Sequence, residues 1–342
     1  MRLASIWRCP VCHAPLERRA PAHVQAPAHV QAPAHVQVPA HVQVPAHVEV
    51  QVPAPGTAHG PAPGTVWACA GGHSFDVARE GYVNLLVTHQ RRARAPGDSA
   101  DMLRDRRAFL DAGWYRPLAE ALEAAALAPA PDAGAPGGGG AGAPSRRAGP
   151  VVLDAGCGEG YYTRHWPDRG ASVWGVDIAK AAVRMAAKRA RPGAHYAVGS
   201  VYDLPVLDGA VDVVLSVFAP IRSAELARVL RPGGLVVTAG PGPDHLDGLK
   251  RLLFATPERH SDAGPLDGGG GGSAGFTAGG LERVRHEVTL DRPEHIAHLL
   301  GMVPYGWYVD PSTRAAVSSL PELATTIDFV IARYRREGFP ER

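Results

Sequence analysis

The stretch VVLDAGCGEGYY, residues 151–162, constrains this chain more than any other. An apolar run and an aspartate lead into Gly156-x-Gly158-x-Gly160. Glycines at that spacing let the backbone turn sharply at a strand end and come close to a ligand. The same alternation of short apolar runs and helical stretches then continues. SVWGVD at 172–177 reads as a second strand, IAKAAVRMAAKRA as a helix and HYAVGS as a third strand. VDVVLSVF at 211–218 reads as a fourth, and a helix around 225–230 precedes LVVTAG at 235–240 as a fifth. Runs of this kind predict a mostly parallel sheet with helices on both faces. A helix is also expected directly after the glycines. LERVRHEVTL and TTIDFVIARY bring the expected sheet to seven strands, an α/β fold of Rossmann-like type.

Alone, three spaced glycines are a weak signal. Asp154 before them, Asp177 at the end of the second strand and LRPGGLVV at 230–237 sharpen it. Asp177 is placed to accept hydrogen bonds from two ribose hydroxyls. Glu159 would repel a pyrophosphate, which counts against a dinucleotide. The set DAGCGEG, GVD and LRPGGLVV resembles the class I S-adenosylmethionine-dependent methyltransferases. Cys157 then reads as a small side chain in a crowded turn, with no redox task.

The four cysteines, Cys9, Cys12, Cys69 and Cys157, do not form a disulfide framework, which suits a reducing compartment. CPVC at 9–12 supplies two zinc ligands, and Cys69-x3-His73 supplies two more. A closed Cys3His set reads as a structural zinc site rather than a catalytic one. His13 reads as a bystander. Between the half-sites lies a repeat, PAHVQA to PAHVEV, with histidines at 23, 29, 35, 41 and 47. Proline at every sixth position favours polyproline II, which spaces those histidines roughly 19 Å apart, so they cannot share one ion. We read about 20–65 as a disordered insert. Loop-closure cost grows only logarithmically with length, so the two half-sites can still meet.

FDVAREGYVNLL at 75–86 is expected to pack on the knuckle. A helical lead-in spans 99–128, with Ser99 as N-cap, Gly113 as a stop and a second helix from about 115 to 127. Residues 129–150 read as a flexible linker and 261–275 as a Gly-rich insert. The formal charge of +2 excludes a globally basic nucleic-acid binder, so any RNA surface must be local. With no signal peptide and no membrane-length apolar run, a cytoplasmic protein without a membrane partner is expected.

The ordered series CPVC, C-x3-H, SFDVAREGYVNLL, GDSADML, RRAFLDAGWYRPL, DAGCGEGYYT and PGPDHL is similar to the bacterial 23S ribosomal RNA guanine-N1 methyltransferases. The resemblance covers nearly the whole chain apart from the repeat, the linker and the Gly-rich insert. It implies a zinc-binding, RNA-recognising domain at 1–88 and a methyltransferase domain at 89–342. It also implies S-adenosylmethionine and structural Zn2+ as cofactors, and a 23S rRNA hairpin as partner; a homodimer is left open. In that family the cofactor is approached by positions matching Gly158, Glu159, Tyr115 and His245, beside Asp154, Gly156, Gly160 and Asp177 of the strand ends. A helix-packing aromatic is the competing reading of Tyr115, and an exposed loop residue that of His245.

The fourth strand ends in SVFAP, 216–220, without the Asn/Asp-Pro-Pro-Tyr pattern used on exocyclic amines. Phe218 there can stack on an extruded base. No general base is assigned. Arg91, Arg92, Arg94, Arg104, Arg106 and Arg107 are the candidate RNA contacts, with a solvated helix face as the alternative. The competing functions are methylation of another RNA or a small molecule, and a non-catalytic zinc-stabilised RNA-binding protein.

Overall fold

The computed structural model describes residues 5–20, 61–87, 97–127, 149–220, 222–261, 264 and 275–338. The histidine repeat, Arg91, Arg92, Arg94, and nearly all of the 129–150 and 261–275 stretches lie outside the described residues.

Near the N-terminus β1 (Glu17–Arg19), β2 (Val66–Ala68) and β3 (Ser74–Asp76) form a small antiparallel sheet. β4 (Val83–Asn84) follows, then α1 (Ala100–Asp111) and α2 (Arg116–Leu127). Ser99 caps α1 as expected, its hydroxyl accepting the Met102 N–H at 3.2 Å, and Gly113 leaves the helix at φ +90°. The parallel series is β5 (Val151–Ala155), β6 (Ser172–Asp177), β7 (Ala194–Val198), β8 (Val211–Val217) and β9 (Leu230–Pro241). α3 (Lys180–Lys188) and α4 (Ser223–Val229) lie between its strands. After α5 (Asp247–Leu253) come β10 (Phe276–Leu290), α6 (Pro293–Met302), α7 (Pro311–Ser318) and β11 (Leu323–Arg336).

The main sheet runs β10-β11-β9-β8-β5-β6-β7-β4, with β11 antiparallel to both its neighbours. It has eight strands, not the expected seven. The extra one is β4, two residues paired in parallel with Ala197 and Val198 of β7, too short to show a period. A second difference follows the glycines. The chain there makes successive turns and a 3-10 helix at Trp166–Arg169, with no α-helix. Tyr161, Tyr162 and Thr163 are indifferent helix formers. Thr163 is held by Asp154, and Gly170 ends the segment in the left-handed region.

Leu153, Val176, Val214 and Val236 are fully buried, as strands covered on both faces require. The N-terminal segment joins the same core. Trp7 is 1% exposed and meets Trp174 of β6 edge to face, ring centres 5.0 Å apart. Backbone bonds from Arg8 N–H to Pro205 C=O and from Leu207 N–H to Ile6 C=O fix it there. No helix among the described residues is long and apolar enough to cross a membrane.

Candidate active site and metal centre

The glycine turn joins β5 to the end of β6. Gly156 and Cys157 N–H both donate to Val176 C=O, at 2.8 and 3.0 Å. Gly156 (φ +83°) has no room for a side chain: a Cβ would stand 2.4 Å from Ala219 Cβ in the SVFAP turn. Gly158 (φ +53°) instead has nothing within 4 Å of its would-be Cβ. Asp177 holds the turn, its Oδ2 accepting the Gly158 N–H at 2.9 Å and its Oδ1 the Ala179 N–H at 2.8 Å. Asp154 is buried behind and accepts the Thr163 hydroxyl at 2.7 Å. Burial pushes its pKa up to about 7, the Thr163 bond opposing and the Asp177 and Glu159 charges adding.

A cavity of about 870 Å³ opens beside this turn, within the ~300–1,000 Å³ usual for small-molecule sites. Tyr115, Gly156, Gly158, Glu159, Asp177 and His245 all line it. Asp154 and Gly160 do not. Gly160 packs behind, where a Cβ would meet Tyr196 Oη at 3.0 Å.

His245 is not an exposed loop residue, and Tyr115 packs edge to face on Phe109 and Phe329, as a helix-packing aromatic does, while also lining the cavity. Both are buried, and Tyr115 Oη lies 3.1 Å from His245 Nε2. Burial, with the Lys250 charge adding, drives the His245 pKa down to about 3, so the imidazole is neutral.

The sequence assigned Arg106 to an RNA surface. It lines the cavity instead, 2.6 Å from Asp98, with Glu159 adding to the charge that holds it protonated despite burial. Its position was readable from helical phase, since Leu103, Arg106 and Leu110 share one face of α1. Arg104 pairs with Asp101, and Arg107 with Asp111 at 3.6 Å.

Three carboxylates, of Asp98, Glu159 and Asp177, thus face one guanidinium across the cavity. Burial raises the pKa of Glu159 and of Asp177. Glu159 Oε1 and Ser216 Oγ are buried without a hydrogen-bond partner among the described residues. An acidic cavity with orphaned polar atoms and a side-chain-free glycine fits a cationic donor bearing sulfonium and ammonium groups.

At the other centre, the ligand atoms of Cys9, Cys12, Cys69 and His73 all lie within 4.8 Å of one another. Cys12 Sγ is 3.6 Å from Cys69 Sγ, which is 3.4 Å from His73 Nδ1. A tetrahedron with Zn–S bonds of about 2.3 Å has edges of roughly 3.7 Å, so the donor set fits zinc. Gly71 borders the cluster, where a Cβ would come within 3.4 Å of Cys12 Sγ and 3.6 Å of Cys69 Sγ, ordinary contact distances. Burial would raise the Cys69 thiol, but hydrogen bonds with His73 and the backbone bring it down to about 6. His13, in the left-handed region at φ +64°, stays outside the cluster.

Residues 152–234 match the family model described as a methyltransferase domain, and residues 62–94 the zinc-ribbon model described as RlmA, N-terminal. The 23S rRNA (guanine(748)-N(1))-methyltransferase of Streptomyces fradiae is 37% identical over 272 residues, covering 78% of this chain and 90% of that protein. A Micromonospora griseorubida protein, provisionally named for guanine-N1 methylation of 23S rRNA, is 39% identical over 275 residues, covering 78% and 89%.

The chain belongs to the 23S rRNA guanine-N1 methyltransferases. Its cofactors are S-adenosylmethionine and structural zinc, and the Cys3His cluster supplies the donor set for the zinc. The fold is the class I methyltransferase sheet with a short eighth strand at its edge.

Proposed function

We propose that this methyltransferase acts on one guanine of a 23S rRNA hairpin in the cytoplasm, with the labour divided between residues 1–88 and 89–342. The zinc module and Arg91, Arg92 and Arg94 would grip the RNA, three guanidinium groups within four residues being suited to phosphates. Residues 89–342 transfer the methyl group. The bound donor supplies an electrophilic methyl on a sulfonium sulfur. Gly158 and Asp177 hold its adenosine side, Glu159 its cationic side, and Tyr115 with His245 a polar group near them. Asp154 and Gly160 support the turn from behind, and Gly156 lines the cavity.

What remains for the chain is placement. Guanine N1 must meet the methyl carbon in line with sulfur and lose its proton as the bond forms, so orientation supplies most of the rate. Phe218 supports this reading. It is 47% exposed at the cavity and held at φ +54°, a backbone conformation that a bulky residue adopts only when its surroundings enforce it. Its face is available to stack on an extruded guanine, a contact worth about 1–3 kcal/mol. Tyr202, 53% exposed, lines the same cavity.

The observation that carries the proposal is a single acidic cavity uniting the glycine turn, the Tyr115–His245 pair and the exposed Phe218. Methyl-tritiated S-adenosylmethionine incubated with 23S rRNA from an unmethylated strain should label the RNA. Primer extension should then arrest at one guanine. Label confined to small molecules, or absent from RNA altogether, would overturn it.

A further inference from the structure

His245 lies on a loop, 242–246, that is folded around one buried side chain. Asp328 of β11 is 0% exposed. Its carboxylate takes a two-pronged bond from Arg283 of β10, Nε to Oδ1 and Nη2 to Oδ2, both 2.7 Å. Asp328 Oδ2 also accepts the Asp244 N–H at 2.9 Å, and its carbonyl accepts the Gly242 N–H at 2.8 Å. Gly242 must be glycine because a Cβ would stand 2.6 Å from that carboxylate. Arg283 reaches on to Asp244 Oδ2 at 3.1 Å. The loop therefore closes over a fork-shaped ion pair whose geometry only Arg and a carboxylate reproduce.

Two features say that this clamp serves His245. The next residue, Leu246, is held in the left-handed region at φ +57°, a strain that persists only where neighbours over-determine the backbone. And the Asp328 N–H donates to His245 Nδ1 at 3.3 Å. A ring nitrogen that accepts carries no proton, so in the neutral imidazole the proton is on Nε2. Nε2–H then donates to Tyr115 Oη, 3.1 Å away. The phenol, accepting there, keeps its own O–H for an acceptor inside the cavity it lines.

We propose that the Arg283–Asp328 pair is the positioning element of the donor site: it fixes the His245 tautomer and so directs the Tyr115 hydroxyl toward the bound donor. This rests on the reading of the cavity as the S-adenosylmethionine site. The alternative is a plain staple between β10 and β11.

The test uses the full chain with zinc bound and compares wild type with Arg283→Gln, Arg283→Lys and Asp328→Asn. Nitrogen-15 spectra of labelled histidine, with the His245 signal assigned through His245→Gln, read the tautomer without any donor. Calorimetry with S-adenosylmethionine reads the affinity. Arg283→Gln and Asp328→Asn should move His245 toward a mixture of tautomers and raise the donor Kd at least tenfold, with Arg283→Lys between them and wild type. Arg283 is half-exposed, so its variants keep the test open should Asp328→Asn not fold. An unchanged His245 signal in folded Arg283→Gln, with Kd within twofold of wild type, would reduce the pair to a staple whatever the loss in melting temperature. The tautomer arm needs no donor, so it decides the clamp separately from the identity of the ligand.

Discussion

Gly156 and Gly158 require glycine for different reasons, and substitution should separate them. A methyl at Gly156 meets both a positive φ and Ala219 at 2.4 Å, so Gly156→Ala should lose stability. At ~3 kcal/mol or more, that is a fall in melting temperature of roughly 6–12 °C. A methyl at Gly158 meets only the backbone strain, about 1–2 kcal/mol, because the space before it is the cavity. Gly158→Ala should fold, yet bind S-adenosylmethionine at least tenfold more weakly by calorimetry. Asp154 gives a second residue-scale prediction. Its carboxyl titrates near 3.8 when unfolded and near 7 in the fold, so the fold favours the protonated form. That contribution is full below about pH 3.8 and is lost as pH rises toward 7, by up to ~1.4 kcal/mol per pH unit. Asp154→Asn stays neutral and should gain on wild type steadily between pH 4 and 7 in urea titrations without donor. Groups that do not couple to Asp154 cancel between the two proteins, while Asp177 and Glu159, whose charges raise its pKa, add to the same slope. A difference independent of pH would mean that Asp154 is ionised in the fold.

Elements differ in how plainly they could be read. β5 to β9 were legible because strands buried on both faces appear as unbroken apolar runs. β4 was not, since two residues carry no period and its partner strand lies more than a hundred residues away. The glycines and Asp177 were legible as local chemistry, whereas Tyr115 and His245 stood out only through the family resemblance. The Arg283–Asp328 clamp was hidden altogether, being a contact between strands 45 residues apart. Arg106 was misplaced because its charge outweighed its helical phase. The N-terminal segment was the largest surprise of packing: the sequence marked it as a zinc module, and Trp7 drives it into the sheet's own core. Trp7→Ala should therefore cost about 3–5 kcal/mol. That lowers the melting temperature of the whole chain by about 6–20 °C. Were the loss confined to the knuckle, the main transition would stay where it is in wild type.

The whole molecule then answers to the metal. Cys12 and Cys69 are 57 residues apart; the β1–β2 pairing brings the half-sites together, and the ion would tie their ligand atoms. Structural zinc supplies about 10–16 kcal/mol of apparent binding energy in small zinc domains. A typical domain is stable by only about 5–15 kcal/mol, so withdrawal is not a local matter if the cores are joined. They are: Cys9, Cys69, Leu16 and Trp67 belong to one buried cluster with Trp174 and Val176 of β6 and Leu204 of the loop after β7. β4 carries the connection into β7, which lies beside the strand ending in Asp177. Chelation, or Cys69→Ser, should consequently leave one cooperative unfolding transition, shifted down by more than 10 °C, and weaken donor binding along with it. Separate modules would behave otherwise, giving two transitions and an untouched donor affinity. Differential scanning calorimetry with and without chelator, followed by donor titration of the same samples, distinguishes the two outcomes because only a shared core transmits the loss of zinc to the glycine turn.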